Sequence, residues 1–172
     1  VPAPPARPAG SRLTGAIYGS DVTDAVTFLA NPPVFKAYQS AAQSIANNSI
    51  TALGMDTEVV DSYSGHDTVT NNSRYTAVVA GWYLVIGSVA FAANGTGNRL
   101  VEIRVNGAGA ATNLAQTVIL TPGAANGSAL TAVSIIQLAV GDYVEAYGYQ
   151  TSGGALNTSP AQTGMQVVWV HA

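Results

Sequence analysis

The sequence predicts an all-β protein, a sandwich or jelly roll of short strands behind a brief N-terminal lead-in. Three observations predict it. Turn signals recur at Asn47-Asn48, Ser64-Gly65, Ala80-Gly81, Asn94-Gly95, Asn106-Gly107, Pro122-Gly123, Gly141-Asp142 and Ser152-Gly153, a spacing that suits strands closed by tight turns. Between them Val, Ile, Tyr, Phe and Trp dominate, residues that fit a pleated surface. From Pro33 onward no amphipathic helix of useful length is present.

The elements follow in order. Residues 1–10, VPAPPARPAG, hold four of the eight prolines and read as an extended, polyproline-like arm. Such an arm is mobile in water unless something ties it down, either its own domain or a neighbouring subunit. No apolar segment of a secretory signal stands there, and an opening Val1 leads us to expect that an initiator Met or a longer upstream part is missing. Residues 20–30, SDVTDAVTFLA, read as a helix with Ser20 or Asp21 as N-cap and Asp21 and Asp24 at the positive end of its dipole. Val22, Ala25, Val26 and Leu29 share one face, and Pro32-Pro33 stops it. A helix this short is marginal alone, so its apolar face needs a partner; Val22, Val26 and Leu29 are candidate anchoring residues. We therefore divide the chain into an arm with an anchoring helix, residues 1–32, and a head, residues 33–172.

The stretch RYTAVVAGWYLVIGSVAFAAN, Arg74 to Asn94, lacks internal charge, yet its apolar part is shorter than the roughly 20 residues a spanning helix needs. It reads as a strand over Ser73–Val79, a turn at Ala80-Gly81 and a long strand over Trp82–Asn94. On that second strand Trp82, Leu84, Ile86 and Ala90 share one face, and Tyr83, Val85, Val89 and Phe91 the other. A strand apolar on both faces is covered on both. RLVEIRV alternates Val101, Ile103 and Val105 against Glu102 and Arg104, which predicts a half-exposed strand. SALTAVSIIQLAV sets Leu130, Ala132, Ile136 and Leu138 against Val133, Ile135 and Gln137. GMQVVWVHA sets Met165, Val167 and Trp169 against Val168 and Val170. Three strands apolar on both faces predict one sheet held between the core and a partner. The candidate partner face is Trp82, Leu84, Ile86, Ile135, Val168 and Val170.

Composition narrows the function. Charged residues are 9% of the chain, against about 25% in an ordinary soluble domain. Net charge is −3 and Lys36 is the single lysine, so nothing favours nucleic acid or anionic lipid, and no membrane insertion is expected. Without cysteine, a disulfide framework and thiolate metal sites are excluded.

The residues resemble a family at this point. RYTAVVAGWYLVIGSVAF, then RLVEIRVNG, IIQLAVGDYVEAYGY and a closing QVVWV are similar to the globular head of complement's first component and the related tumour necrosis factor jelly roll. The features that match are Tyr75 before the turn, the Ala80-Gly81-Trp82-Tyr83 strand start, Arg104–Gly107, and Gly141-Asp142 before a Val-containing strand. The resemblance covers Val34 to Ala172. The lead-in LTGAIYGSDVTDAVTFLANPP resembles those ahead of such heads in minor tail and head-surface proteins of actinobacterial phages. The resemblance implies a jelly roll of about ten strands that forms tight homotrimers, its inner sheet packed around the three-fold axis, and a place on a virion surface. The departure is the stalk: the arm has no Gly-X-Y period.

Enzyme chemistry is nearly absent from the pattern. His66 lies in DSYSGHD with Asp61 and Asp67 nearby, too few ligands for a metal site without help from the fold, and reads as part of a polar loop. His171 reads as solvated. No serine stands in a G-x-S-x-G elbow, and the glycine turns NGTGN and NGAGA precede no helix and are not phosphate loops. We expect no catalytic residue, cofactor or metal. DYVEAYGY places Tyr143, Glu145, Tyr147 and Tyr149 on one face and Val144 and Ala146 on the other. A buried carboxylate is costly, so the Glu145 face is expected to be the wet one. Tyrosines there suit sugar stacking or a protein partner, or they pack on a neighbouring strand. The functions compatible with this sequence are a trimeric virion knob joined to capsid or tail through residues 1–32, a receptor-binding module for a host-surface glycan, and a secreted lectin-like domain.

Overall fold

The backbone alternates between two sheets that face each other across one apolar core. The computed structural model describes residues 8–12, 14–107, 115–120 and 127–172, with Ser20, Asp21 and residues 115–120 as backbone only. The arm of residues 1–7 and the Pro122-Gly123 turn lie outside the described residues.

A lead-in of helix precedes the strands. It runs as α1 (Gly15–Tyr18), one π-helical turn (Gly19–Thr23) and α2 (Asp24–Ala30). The helix therefore starts earlier than the sequence predicts. Thr14, not Ser20 or Asp21, is the N-cap, its hydroxyl accepting from the Ile17 N–H at 3.2 Å. Ten strands then build the two sheets: β1 (Val34–Tyr38), β3 (Thr51–Ala52), β4 (Thr57–Asp61), β5 (Arg74–Thr76), β6 (Gly81–Phe91), β7 (Asn98–Val105), β8 (Ala115–Leu120), β9 (Ser128–Leu138), β10 (Tyr143–Gln150) and β12 (Gly164–His171). A small ribbon joins β2 (Ser44–Ile45) to β11 (Leu156–Asn157).

The first sheet has the order β4-β1-β12-β6-β9; the second runs β3-β10-β7-β8, with β5 also paired to β10. Among the described residues every pairing is antiparallel. The three strands read as apolar on both faces, β6, β9 and β12, are neighbours in the first sheet. Ala80-Gly81 does not close a hairpin. β5 belongs to the second sheet and β6 to the first, so residues 77–80 carry the chain across the sandwich. Gly81 takes φ +154°, and a Cβ there would collide with the Trp169 indole and the His171 carbonyl; only glycine starts the strand so close to β12.

Alternation decides what is buried. Phe35, Tyr83, Val85, Val89, Phe91, Leu130, Ile136, Met165 and Val167 point inward from the first sheet. Val101, Ile103, Val144 and Ala146 meet them from the second. Each such side chain contributes roughly 1.5–3 kcal/mol when fully buried. The sheets approach closely at Gly87, where a Cβ would sit 2.9 Å from that of Ala146.

Candidate functional site: the two outer faces of the sandwich

The outer face of the first sheet is built by register. Val34 opposes Val168, Val168 opposes Leu84, and Leu84 opposes Ile135, so four aliphatic residues form one row across four strands. The next row is Val60, Lys36, Gln166, Ile86 and Val133. At one end Trp82 and His171 stack with ring centres 6.0 Å apart. At the other end the face turns polar, with Ser88 hydrogen-bonded to Thr131 at 3.1 Å. All six candidate partner residues lie on this face. Trp82, Leu84, Ile86 and Val168 are half-buried by their neighbours, while Val133, Ile135 and Val170 are exposed by 53%, 59% and 48%. Aliphatic side chains that open to water across adjacent strands make an apolar patch of the kind that marks an interaction surface.

The outer face of the second sheet is different. Tyr143, Tyr147 and Tyr149 point away from the core, and Val144 and Ala146 point into it, as the alternation requires. Glu145 shares the tyrosine side but is not wet: it is 3% exposed. Its Oε1 accepts from the Ser73 hydroxyl at 2.7 Å and from Arg74 Nε at 3.2 Å, and its Oε2 accepts from the Tyr147 hydroxyl at 2.7 Å. The expectation failed because it assumed an unpartnered carboxylate. Cross-strand neighbours supply the partners: β5 sets Arg74 directly opposite Glu145. The guanidinium of Arg74 lies 4.1 Å from the Tyr143 ring centre, and that of Arg104 lies 4.5 Å from the Tyr147 ring centre. Arg104 also pairs with Glu102. Glu102 is buried in turn, so β7 is not the half-exposed strand its sequence predicts. Burial first, and then the hydrogen bond to Glu145, raises the Tyr147 phenol well above its ordinary value. Tyr149 turns aside and donates to Asn48.

Neither histidine belongs to a metal cluster, and among the described residues no three His, Asp or Glu side chains converge. His66 is more than part of a polar loop. Its ring is fully buried against Phe35, with ring centres 4.9 Å apart. Its Nδ1 lies 2.8 Å from Glu58 Oε1 and its Nε2 lies 3.0 Å from the Asn72 carbonyl oxygen. His171 is exposed, its ring resting on Trp82.

The lead-in meets the head through a residue that the helical-face reading left out. Phe28 is buried, edge-on to Trp169 at 4.8 Å and to Tyr63 at 6.3 Å. The Tyr63 hydroxyl donates to the Asn31 carbonyl oxygen at 3.0 Å. Val22, Val26 and Leu29 instead face solvent. The signal for Phe28 was present: it is the lone aromatic in the last turn, roughly 100° round the helix from its neighbours.

This arrangement defines a class first: a ten-stranded antiparallel jelly roll with one uncovered apolar sheet face, the fold of complement C1q heads and tumour necrosis factor-like domains. Solved structures bear this out. The chain is similar to murine APRIL, with a TM-score of 0.60, 17% identity, and 80% of this chain and 98% of that chain covered. It is similar to the globular domain of zebrafish complement 1qA protein, with a TM-score of 0.59, 10% identity and coverage of 81% and 98%. It is also similar to the Eiger TNF of S. frugiperda, with a TM-score of 0.55, 13% identity and coverage of 80% and 93%. No family model and no curated protein matches the sequence. Among the described residues no helix is long and apolar enough to cross a membrane.

Proposed function

We propose that the chain is a non-enzymatic structural protein of a bacteriophage virion surface, a homotrimeric knob joined to capsid or tail through residues 1–32. The observation that carries the trimer is the open row Val34, Val168, Leu84 and Ile135 with Val133 and Val170 beside it. Three copies around an axis on that face would cover it without leaving an open end. The virion setting rests on the resemblance of the lead-in and head together to phage surface proteins. In this reading Trp82, Leu84, Ile86, Ile135, Val168 and Val170 hold the trimer, and the head needs no cofactor. Antibodies against the chain test the setting. They should label phage particles from the source culture at head or tail. Label confined to the medium or the cell surface, with bare particles, would favour a secreted lectin-like domain.

One observation favours recognition of a host-surface glycan by the same knob. A cleft of about 390 Å³ opens beside the tyrosine face, walled by Tyr143, Arg74, Asp67, Thr70 and Asn71. An aromatic flank with polar groups around it suits a sugar ring. Binding of the knob to arrayed glycans, lost in Tyr143→Ala, would support this; an array without any signal would remove it.

A further inference from the structure

Two apolar surfaces at the same end of the head are open among the described residues, and both belong to this chain. The first is the outward stripe of the lead-in helix: Val26 and Leu29 are 57% and 60% exposed, and Tyr18 and Val22 are exposed as well. Marginal helices owe their stability to packing of such a stripe. The second is a cleft of about 770 Å³ walled by Val78, Val79, Ala80, Leu138 and Val140, with Val140 67% exposed. The acidic side chain in its lining, Asp142, is already engaged: it accepts from the Asn106 amide and the Ala139 N–H, both at 2.8 Å. The walls thus suit an apolar occupant.

The two surfaces adjoin. The Trp169 indole takes Phe28 against its ring and donates from Nε1 to the carbonyl of Ala80, which lines the cleft. Phe28 therefore pins α2 beside the cleft with its aliphatic stripe turned outward. The cleft in turn runs into the apolar sheet face: Gln137, on its rim, opposes Trp82 across β9 and β6. Only four residues separate Leu29 from Val34, the first residue of the aliphatic row.

We propose that the stripe Val22, Val26 and Leu29 of one copy seats in the cleft of the next copy around the ring. The contact joins two different patches, and three such contacts close a three-fold ring. This rests on the trimer proposed above and sharpens the role of those three residues. They clasp neighbouring heads, and the Pro-rich residues ahead of them are left to reach the capsid or tail.

The absence of cysteine from the chain allows a direct test. The full-length double variant Val26→Cys/Val140→Cys is oxidised and run on a non-reducing gel, beside light scattering of the unmodified chain. The expected result is a covalent trimer from the double variant and only monomer from either single variant. An intrachain disulfide, or dimers from Leu29→Cys alone, would overturn the clasp, because the helix would then lie on its own head or on the other helices. Trimer mass with no cross-link at all would overturn the clasp and leave the knob standing. Monomer mass for the unmodified chain would instead defeat the trimer itself. A second measurement does not depend on disulfide geometry. Val26→Ser/Leu29→Ser should raise the concentration at which the trimer dissociates at least tenfold, while Thr27→Ser leaves it unchanged; equal dissociation for both overturns the proposal.

Discussion

On the outer face of the second sheet, Glu145 collects hydrogen bonds from Ser73, Arg74 and Tyr147, and two guanidinium groups lie over tyrosine rings. On the outer face of the first sheet, Ile135 and Val170 stand open beside Leu84 and Val168. Both faces belong to one sandwich of antiparallel strands. One covers itself with its own long polar side chains, and the other carries short aliphatic side chains that cannot. A self-covered face stabilises the monomer. An aliphatic face stays wet until another molecule covers it, so the two faces should respond to substitution in different observables.

The largest effect is expected on the aliphatic face. Leu84→Asp puts a carboxylate in the centre of the row, where covering it without a partner costs several kcal/mol by order of magnitude. The trimer should be lost at micromolar concentration while the head keeps its thermal transition, because the monomer leaves this side half-wet. Loss of the fold together with the trimer would show that the row supports the core.

Glu145→Leu should act on the other observable. It strips the acceptor from Ser73 and Tyr147, while Arg74, 38% exposed, turns to water. We expect about 2–3 kcal/mol of lost stability in denaturant titrations, with no change in mass. Tyr147→Phe removes one donor to the same carboxylate and should cost about 1.5 kcal/mol. If Tyr147→Phe is neutral and Tyr147→Ala costs only about 0.5 kcal/mol, the tyrosine face is an ordinary exposed surface and the contrast between the faces dissolves.

How much of this was legible in the sequence depends on which neighbours decide a residue's fate. The aliphatic face was readable because alternation along a single strand sets it: Leu84 and Ile86 must share a side whatever lies next to them. The tyrosines and Val144 were readable for the same reason. The burial of Glu145 and Glu102 was not, because it depends on which strand pairs with β10 and in what register, and nothing within DYVEAYGY encodes Arg74. The fate of the Ala80-Gly81 segment was hidden likewise. A glycine at a strand start looks like a hairpin turn until the partner strands are known. Phe28 was missed because the helical face was drawn through the aliphatic residues alone.

Titration gives the smallest expected effect. Burial raises the phenols of Tyr75 and Tyr83, that of Tyr83 to about 12, and raises Tyr147 as well. In the unfolded chain tyrosine releases its proton near about pH 10, whereas the folded groups hold theirs longer. Stability is therefore fully present below about pH 10 and declines as pH rises from there toward the folded values. At the acid end, Asn106 and then the Ala139 N–H hold the Asp142 carboxyl below its ordinary value. That contribution is present above the unfolded value and fades as pH falls through the folded one. Thermal melts should thus show a steeper loss on the alkaline side than on the acid side. The reverse asymmetry would mean that the buried phenols do not control the alkaline limb.

The mass of the full-length chain in solution, measured by multi-angle light scattering from high nanomolar to micromolar concentration, tests the central claim most directly. The account predicts three times the mass of one chain, with Val133, Ile135 and Val170 protected from hydrogen exchange on neighbouring backbone amides relative to Leu84→Asp. A stable monomer across that range, its aliphatic face as open as in the single chain, would contradict it.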